Sequence, residues 1–215
     1  MKVLVAGAHG KTARRLARML KEDGHEVRGL VRKEEQMPDV EADGAEPALV
    51  DLEEEAEGGV GRAVEGCDAI IFAAGAGPGS GATRKETMDY GGAVKLVEAA
   101  ERHGVRRYLM LSSMGAGDPG SGSEAMQPYL FAKARADERL QQSGLDYTII
   151  RPGSLTEEEG AGRIEAAEAL GRRGEISRDD VARTFAETLE IENTYHKTFE
   201  ILAGDTPIRE ALERI

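Results

Sequence analysis

The sequence predicts an α/β protein: a doubly wound parallel sheet of about seven strands with helices on both faces. Three observations carry that expectation. Short β-branched runs alternate with longer stretches whose apolar residues recur near a period of 3.6. Strands separated in this way by helices join into parallel sheets covered on both faces. The turn between the first strand and the first helix is rich in small residues, and no linker or internal repeat divides the chain. A chain of 215 residues can bury one full core, so 1–215 is expected to be a single domain.

The elements follow in order. "KVLVA" is a short β-branched strand, and Lys11 to Glu22 reads as a helix with Leu16, Met19 and Leu20 on one side. "EVRGLV", "PALVD" and "DAIIFAA" are the second, third and fourth strands. A long helix over about Thr83 to Arg102 repeats Val94, Leu96, Val97 and Ala100 at helical spacing. "VRRYLMLSS" is the fifth strand, 124–142 another helix, and "LDYTIIRP" the sixth strand. "SRDDVARTFAETL" opens with Ser177 and Asp180 in a capping-box pattern, and "KTFEILAG" is the last strand. Two loops read as mobile, "GAGPGSGA" and "SLTEEEGAG".

Charge narrows the partners. A formal net charge of -12 repels phosphate backbones and anionic lipid, so nucleic acid and membrane are not expected. Acidic runs such as "DLEEEAE" and "TEEEG" read as solvated faces and turns. Cys67 is the sole cysteine, which allows no intrachain disulfide and fits a reducing compartment. The longest apolar run, "AIIFAA", is too short to span a bilayer, and "MKVLVAGAHGKTARR" turns polar too soon for a secretory signal. The expectation is a cytoplasmic monomer or homodimer acting on a small molecule.

The strongest motif is "AGAHGKTA", spaced Gly7-x-x-Gly10-x-x-Ala13 between a strand and a helix. Gly7 lets the chain turn tightly, Gly10 lets backbone N–H groups approach a pyrophosphate, and Ala13 lets helix and strand pack closely. The helix N-terminus adds a positive dipole end, with Lys11 and Thr12 beside it. His9 contributes backbone there, and the four His residues show no metal-ligand spacing. These features point to a Rossmann unit that binds a dinucleotide.

The second strand suggests which one. An NAD unit ends this strand with Asp or Glu for the ribose 2′-hydroxyl, about 20 residues past the glycines. Here Arg32 and Lys33 stand at that point, and a guanidinium attracts a 2′-phosphate. NADP is therefore favoured over NAD. Asp51 and Leu52, ending the third strand, could contact the adenine; Asp51 could equally N-cap a helix. Ala73, Ala74 and Gly75 are small enough to let a dinucleotide lie across the strand ends.

The stretches "GAHGKTARRL", "LVRK", "VDL", "AAG", "VRRYLMLSSMGA", "PYLFAK" and "LDYTIIRPG" together resemble the short-chain dehydrogenase/reductase superfamily. The resemblance is to its atypical, NmrA-like members, grouped with NAD(P)-dependent epimerases/dehydratases and related to small flavin/biliverdin reductases. It implies a seven-stranded Rossmann sheet with NADP across its carboxyl edge and Pro152, Gly153 and Ser154 at the nicotinamide end. It also implies a catalytic set of Ser, Tyr, Lys and Asn. Ser112 and Ser113 end the fifth strand, with Ser113 preferred as the catalytic serine and Ser112 assigned to the cofactor. Tyr129 and Lys133 form the Y-x-x-x-K match. Asp89 stands where the Asn is expected, and an ionised Asp cannot donate a proton.

Residues at i and i+4 share a helix face, and the Lys133 ammonium beside Tyr129 favours its phenolate. Tyr129 would move a proton at a carbonyl or hydroxyl oxygen held by Ser113. The segment after Gly153 is too short for a large substrate domain, leaving 155–174 as a small lid. Its glutamates disfavour a polyanionic substrate and suggest a small neutral or cationic carbonyl compound or a flavin-like ring. The alternative is a non-catalytic NADP(H)-sensing regulator of the NmrA type.

Overall fold

The structure is a computed structural model that describes residues 1–54, 57–77 and 79–215. Two residues of the run "DLEEEAE", Glu55 and Ala56, and Pro78 of the loop "GAGPGSGA" lie outside the described residues.

The chain builds β1 (Lys2–Ala6), α1 (Lys11–Glu22), β2 (Glu26–Val31), α2 (Met37–Ala42), β3 (Glu46–Leu49), α3 (Glu57–Val64) and β4 (Ala69–Phe72). A short helix α4 (Ala82–Arg84) runs on through a π-helical stretch, Lys85–Gly92, into α5 (Ala93–His103). Then come β5 (Arg107–Leu111), α6 (Gln127–Gln141), β6 (Asp146–Pro152), β7 (Ser154–Thr156), β8 (Arg163–Ala167) and β9 (Glu175–Ser177). The chain finishes with α7 (Arg178–Thr188), β10 (Lys197–Ala203), β11 (Thr206–Pro207) and α8 (Ile208–Glu213).

Nine strands form the main sheet, in the order β11-β8-β10-β6-β5-β4-β1-β2-β3. The seven from β10 to β3 are mutually parallel, and β8 and β11 add an antiparallel edge. The sequence expectation of seven strands thus covers the parallel part. Side chains alternate faces along each strand, and two cores result. Val3, Val5 and Ile71 face the layer of α1 and α7, whereas Leu4, Ala6, Ile70 and Phe72 face α5 and α6. Strand order reverses at β1, between β2 and β4, which opens a crevice at the carboxyl ends of the strands, where α/β sheets bind ligands.

The stretch 155–174, expected as a lid, is tied to the body of the fold. Leu155 pairs with Ile176, and Ile164 to Ala167 pair with β10. The loop between them is pinned to the start of α7: Asp179 accepts from Gly160 N, and Asp180 accepts from Ala161 N and Gly162 N at 3.1 and 2.7 Å. Ser177 caps α7 by accepting from Asp180 N at 3.0 Å. The capping pattern is therefore half of a box, because the Asp180 carboxylate holds the preceding loop.

No helix among the described residues is long and apolar enough to cross a membrane. Among the same residues, no group of His, Cys, Asp and Glu is placed to hold a metal ion.

Candidate cofactor and active site

A cavity of about 640 Å³ lies in this crevice. Its floor is the β1–α1 turn. Gly7 has φ +75°, and a Cβ added there would come within 2.6 Å of Ala74 Cα, so only glycine lets β1 and β4 end this close together. Gly10 N donates to Gly7 O at 2.8 Å and closes the turn. Gly10 also stands at the N-cap of α1 without a side-chain cap, leaving the first helical amides open to an anion. His9 fixes the loop from outside, with Nε2 2.9 Å from Asp39 Oδ2 on α2. That contact and Arg14 hold the Asp39 carboxyl below the usual carboxylate range.

At the end of β2, Arg32 is exposed and lines the cavity. Gln36 Oε1 accepts from Arg32 N and Lys33 N at 3.1 and 3.2 Å, which sets the direction in which Arg32 leaves the strand. Lys33 does not line the cavity; its Nζ pairs with Glu35 at 3.2 Å. Leu52 lines the cavity but Asp51 does not. Asp51 Oδ1 accepts from Glu53 N at 2.9 Å, so it closes a turn instead of capping a helix.

The other end of the cavity gathers Ser112, Ser113, Tyr129, Lys133 and Asp89. The two serines are distinguished by their partners. Ser112 Oγ donates to Asp137 Oδ2 at 2.8 Å, and Arg151 also binds that oxygen. Burial raises the Asp137 carboxyl above its ordinary value, against the pull of Arg151 and Ser112. Ser113 lies on extended backbone, and among the described residues neither its hydroxyl nor that of Tyr129 has a hydrogen-bond partner. Lys133, 3% exposed, donates to Leu111 O at 3.0 Å and sits 5.9 Å from the centre of the Tyr129 ring.

Asp89 changes the electrostatics expected of that lysine. It is fully buried, and its Oδ1 lies 3.4 Å from Lys133 Nζ. The contact is an ion pair without hydrogen-bond geometry, since Oδ1 has no hydrogen-bond donor. Asp89 Oδ2 accepts from Ala76 N at 3.2 Å. Lys133 is thus a compensated charge, not an isolated ammonium beside Tyr129.

Among the described residues, six cationic side chains line the cavity, Lys11, Arg32, Arg84, Lys85, Lys133 and Arg178, with one carboxylate, that of Asp89. Four of the six are paired with a carboxylate, Lys133 with Asp89, Arg84 with Glu53, and Lys11 and Arg178 with Glu157, which leaves Arg32 and Lys85 to attract an anionic ligand to a chain of net charge -12. The acids of 155–174 are not in its walls; only Leu155 of that segment is. Glu157 lies outside, where Lys11 Nζ at 2.9 Å, Arg178 Nε at 2.8 Å and Arg15 Nη2 at 3.2 Å converge on it. The hydrogen bonds from Lys11 and Arg178 hold its carboxyl down at about 2.

Residues 7–192 match the family model described as NAD(P)H-binding. The chain belongs to this NAD(P)H-binding family. Over 216 residues, covering all of both chains, it is 45% identical to a Bacillus subtilis (strain 168) protein named as an uncharacterized sugar epimerase, YhfK. A Bacillus halodurans structure assigned by name to the NAD-dependent epimerases/dehydratases is 43% identical, with TM-score 0.95 and full coverage of both chains. The oxidoreductase ylbE from Lactococcus lactis is 31% identical, with TM-score 0.88, over 100% of this chain and 96% of that one.

Within this NAD(P)H-binding domain the predicted residues Gly7, His9, Gly10, Lys11, Thr12, Arg32, Leu52, Ala73, Ala74, Gly75, Pro152 and Gly153 all line the cavity. Ser154 does not; its N donates to Gly174 O at 2.9 Å as β7 pairs with β9. Sequence reasoning missed Arg178, whose Nη1 donates to Thr12 Oγ1 at 3.2 Å, and Lys85. A signal for Arg178 existed: helices of a parallel α/β sheet begin at the carboxyl edge of the strands, and Arg178 is the first residue of α7.

Proposed function

We propose that this NAD(P)H-binding domain is an NADP(H)-dependent oxidoreductase acting on a carbonyl or hydroxyl group of a small substrate. The observation that carries the reading is the pair of unpartnered hydroxyls, Ser113 and Tyr129, in the same cavity as the glycine turn. Their neighbours Ser112 and Lys133 are already engaged by the protein.

The cavity fits the cofactor. The Gly7–Ala74 approach leaves room for a dinucleotide across the strand ends, and the uncapped start of α1 with Lys11, Thr12 and Arg178 suits a diphosphate. Arg32 is the residue for a 2′-phosphate, because it lines the cavity where an NAD unit would carry an acid. A nicotinamide held there would supply hydride exchange at the substrate carbon. Ser113 holds the reacting oxygen by donating a hydrogen bond, and Tyr129 delivers or removes the proton there. Lys133 is fixed by Leu111 O and Asp89, which leaves the rest of its ammonium for the cofactor ribose. Asp89 acts as the counterion of Lys133 and ties down the loop after β4 through Ala76 N. Pro152 and Leu155 add apolar surface to the lining.

The test is NADPH oxidation across aldehydes, ketones, quinones and flavins, with Tyr129→Phe alongside. Turnover on one acceptor class and a rate at least about 100-fold lower in the variant are expected, the usual reach of general acid–base catalysis. NADPH binding without turnover on any acceptor would place the chain among cofactor-sensing regulators instead.

A further inference from the structure

We propose that the substrate carries a carboxylate on an apolar body, and that Lys85 is the residue that recognises it. The proposal rests on the reading of the Ser113–Tyr129 end as the substrate end.

Position comes from the packing of two helical segments. The stretch 85–103 and α6 lie side by side and run the same way, since Asp89 meets Lys133 and Glu101 meets Arg139 further along both. One turn back from Asp89 is Lys85, and one turn back from Lys133 is Tyr129. Lys85 and Tyr129 thus lie on the same side of the Asp89–Lys133 pair, towards the starts of the two segments, and both line the cavity.

Its neighbours are committed elsewhere. Arg84 Nε reaches Glu53 at 3.1 Å on the side of β3, and Glu86 pairs with Arg135 at 2.5 Å on α6. Lys85, between them and half-buried, has no ion-pair or hydrogen-bond partner for its ammonium among the described residues. Asp89 cannot serve it without abandoning the buried Lys133, a costly exchange. A half-buried ammonium facing a cavity that, among the described residues, holds no other acid attracts an anion from the ligand.

The class of anion follows from the count. Lys85 offers one point charge and three donors, which matches a singly charged carboxylate; a phosphate dianion would call for a second cation, and the adjacent Arg84 is held by Glu53. Met88, Met126, Pro152 and Leu155 also line the cavity, which suits an apolar body for the rest of the ligand. The glutamates of 155–174, from which the sequence predicts a neutral or cationic substrate, do not line the cavity.

The experiment is calorimetry on protein saturated with NADPH, using 4-(hydroxymethyl)benzoate, 4-(hydroxymethyl)benzamide and benzyl phosphate. The benzoate is expected to bind about tenfold tighter than the amide, as a charge-assisted hydrogen bond provides, and tighter than the phosphate. Lys85→Met removes the difference and Lys85→Arg keeps it, while both variants bind NADPH as the parent does. Equal binding of benzoate and amide, or no binding of the benzoate at millimolar concentration, overturns the proposal, and tighter phosphate binding overturns the carboxylate assignment. Weaker NADPH binding by Lys85→Met would assign Lys85 to the cofactor and likewise overturn it. Failure of the parent to bind NADPH at all would instead count against the proposed function.

Discussion

Replacing Asp89 with Asn removes a fully buried carboxylate and leaves the Lys133 ammonium, 3% exposed, without its counterion. Breaking a buried ion pair by removing one partner costs about 3–5 kcal/mol. Lys133 keeps its hydrogen bond to Leu111 O, and the Asn amide can still accept from Ala76 N, so the lower end, about 3 kcal/mol, applies. For a chain of this length that is a fall in melting temperature of roughly 6–12 °C. Equilibrium urea unfolding of the cofactor-free protein measures it. The double variant Asp89→Asn/Lys133→Met no longer buries an unpaired charge, and should be more stable than the sum of the two single changes by about 2 kcal/mol. Additive single effects would show that the two charges are not coupled, and the case for Asp89 as the residue that fixes Lys133 would fall.

Arg32→Ala should weaken NADPH binding by about tenfold or more through loss of a charge-assisted hydrogen bond, with NADH little changed; equal losses in parallel titrations would remove Arg32 from the 2′-phosphate site. The Glu157 carboxyl, held at about 2 by Lys11 and Arg178 against an ordinary 4.5, binds protons less readily in the folded state than in the unfolded one. Its contribution to stability is present above about 4.5 and fades as pH falls through about 2. Melting temperatures measured down that range should fall less steeply in Glu157→Gln than in the parent, and superimposable curves would contradict the assignment.

The parallel strands were legible because each is a short apolar, β-branched run between helical stretches. The antiparallel edge was not: "RIEAA" has one strongly apolar residue, Ile164, and becomes a strand through its pairing with β10. The π-helical stretch was also hidden, since "KETMDYGG" places Asp89 in the interior, where a charge is unusual unless paired. At the site, the glycine turn, Arg32 and the Ser–Tyr–Lys residues were readable as types at spacings. The misplacements share a cause, because neighbours on extended backbone face opposite ways. Lys33, at φ -139° and ψ 140°, turns away where Arg32 turns in. Gly153 lines the cavity and Ser154 does not, and of the two serines the hydroxyl of Ser112 is taken by Asp137. Lys85 reaches the cavity only through the tertiary fold, and no local pattern announces it, whereas Arg178 was legible only as the first residue of a helix that begins at the carboxyl edge of the sheet.

The central claim is that the crevice beside β1 and β4 holds a phosphorylated nicotinamide dinucleotide, and melting temperature as a function of NADPH concentration tests it most directly. A ligand at about 100 times its Kd stabilises the folded state by about 2.7 kcal/mol, a rise of roughly 5–11 °C for this chain, with a smaller rise for NADH at the same concentration. An unchanged melting temperature at saturating NADPH would contradict the account.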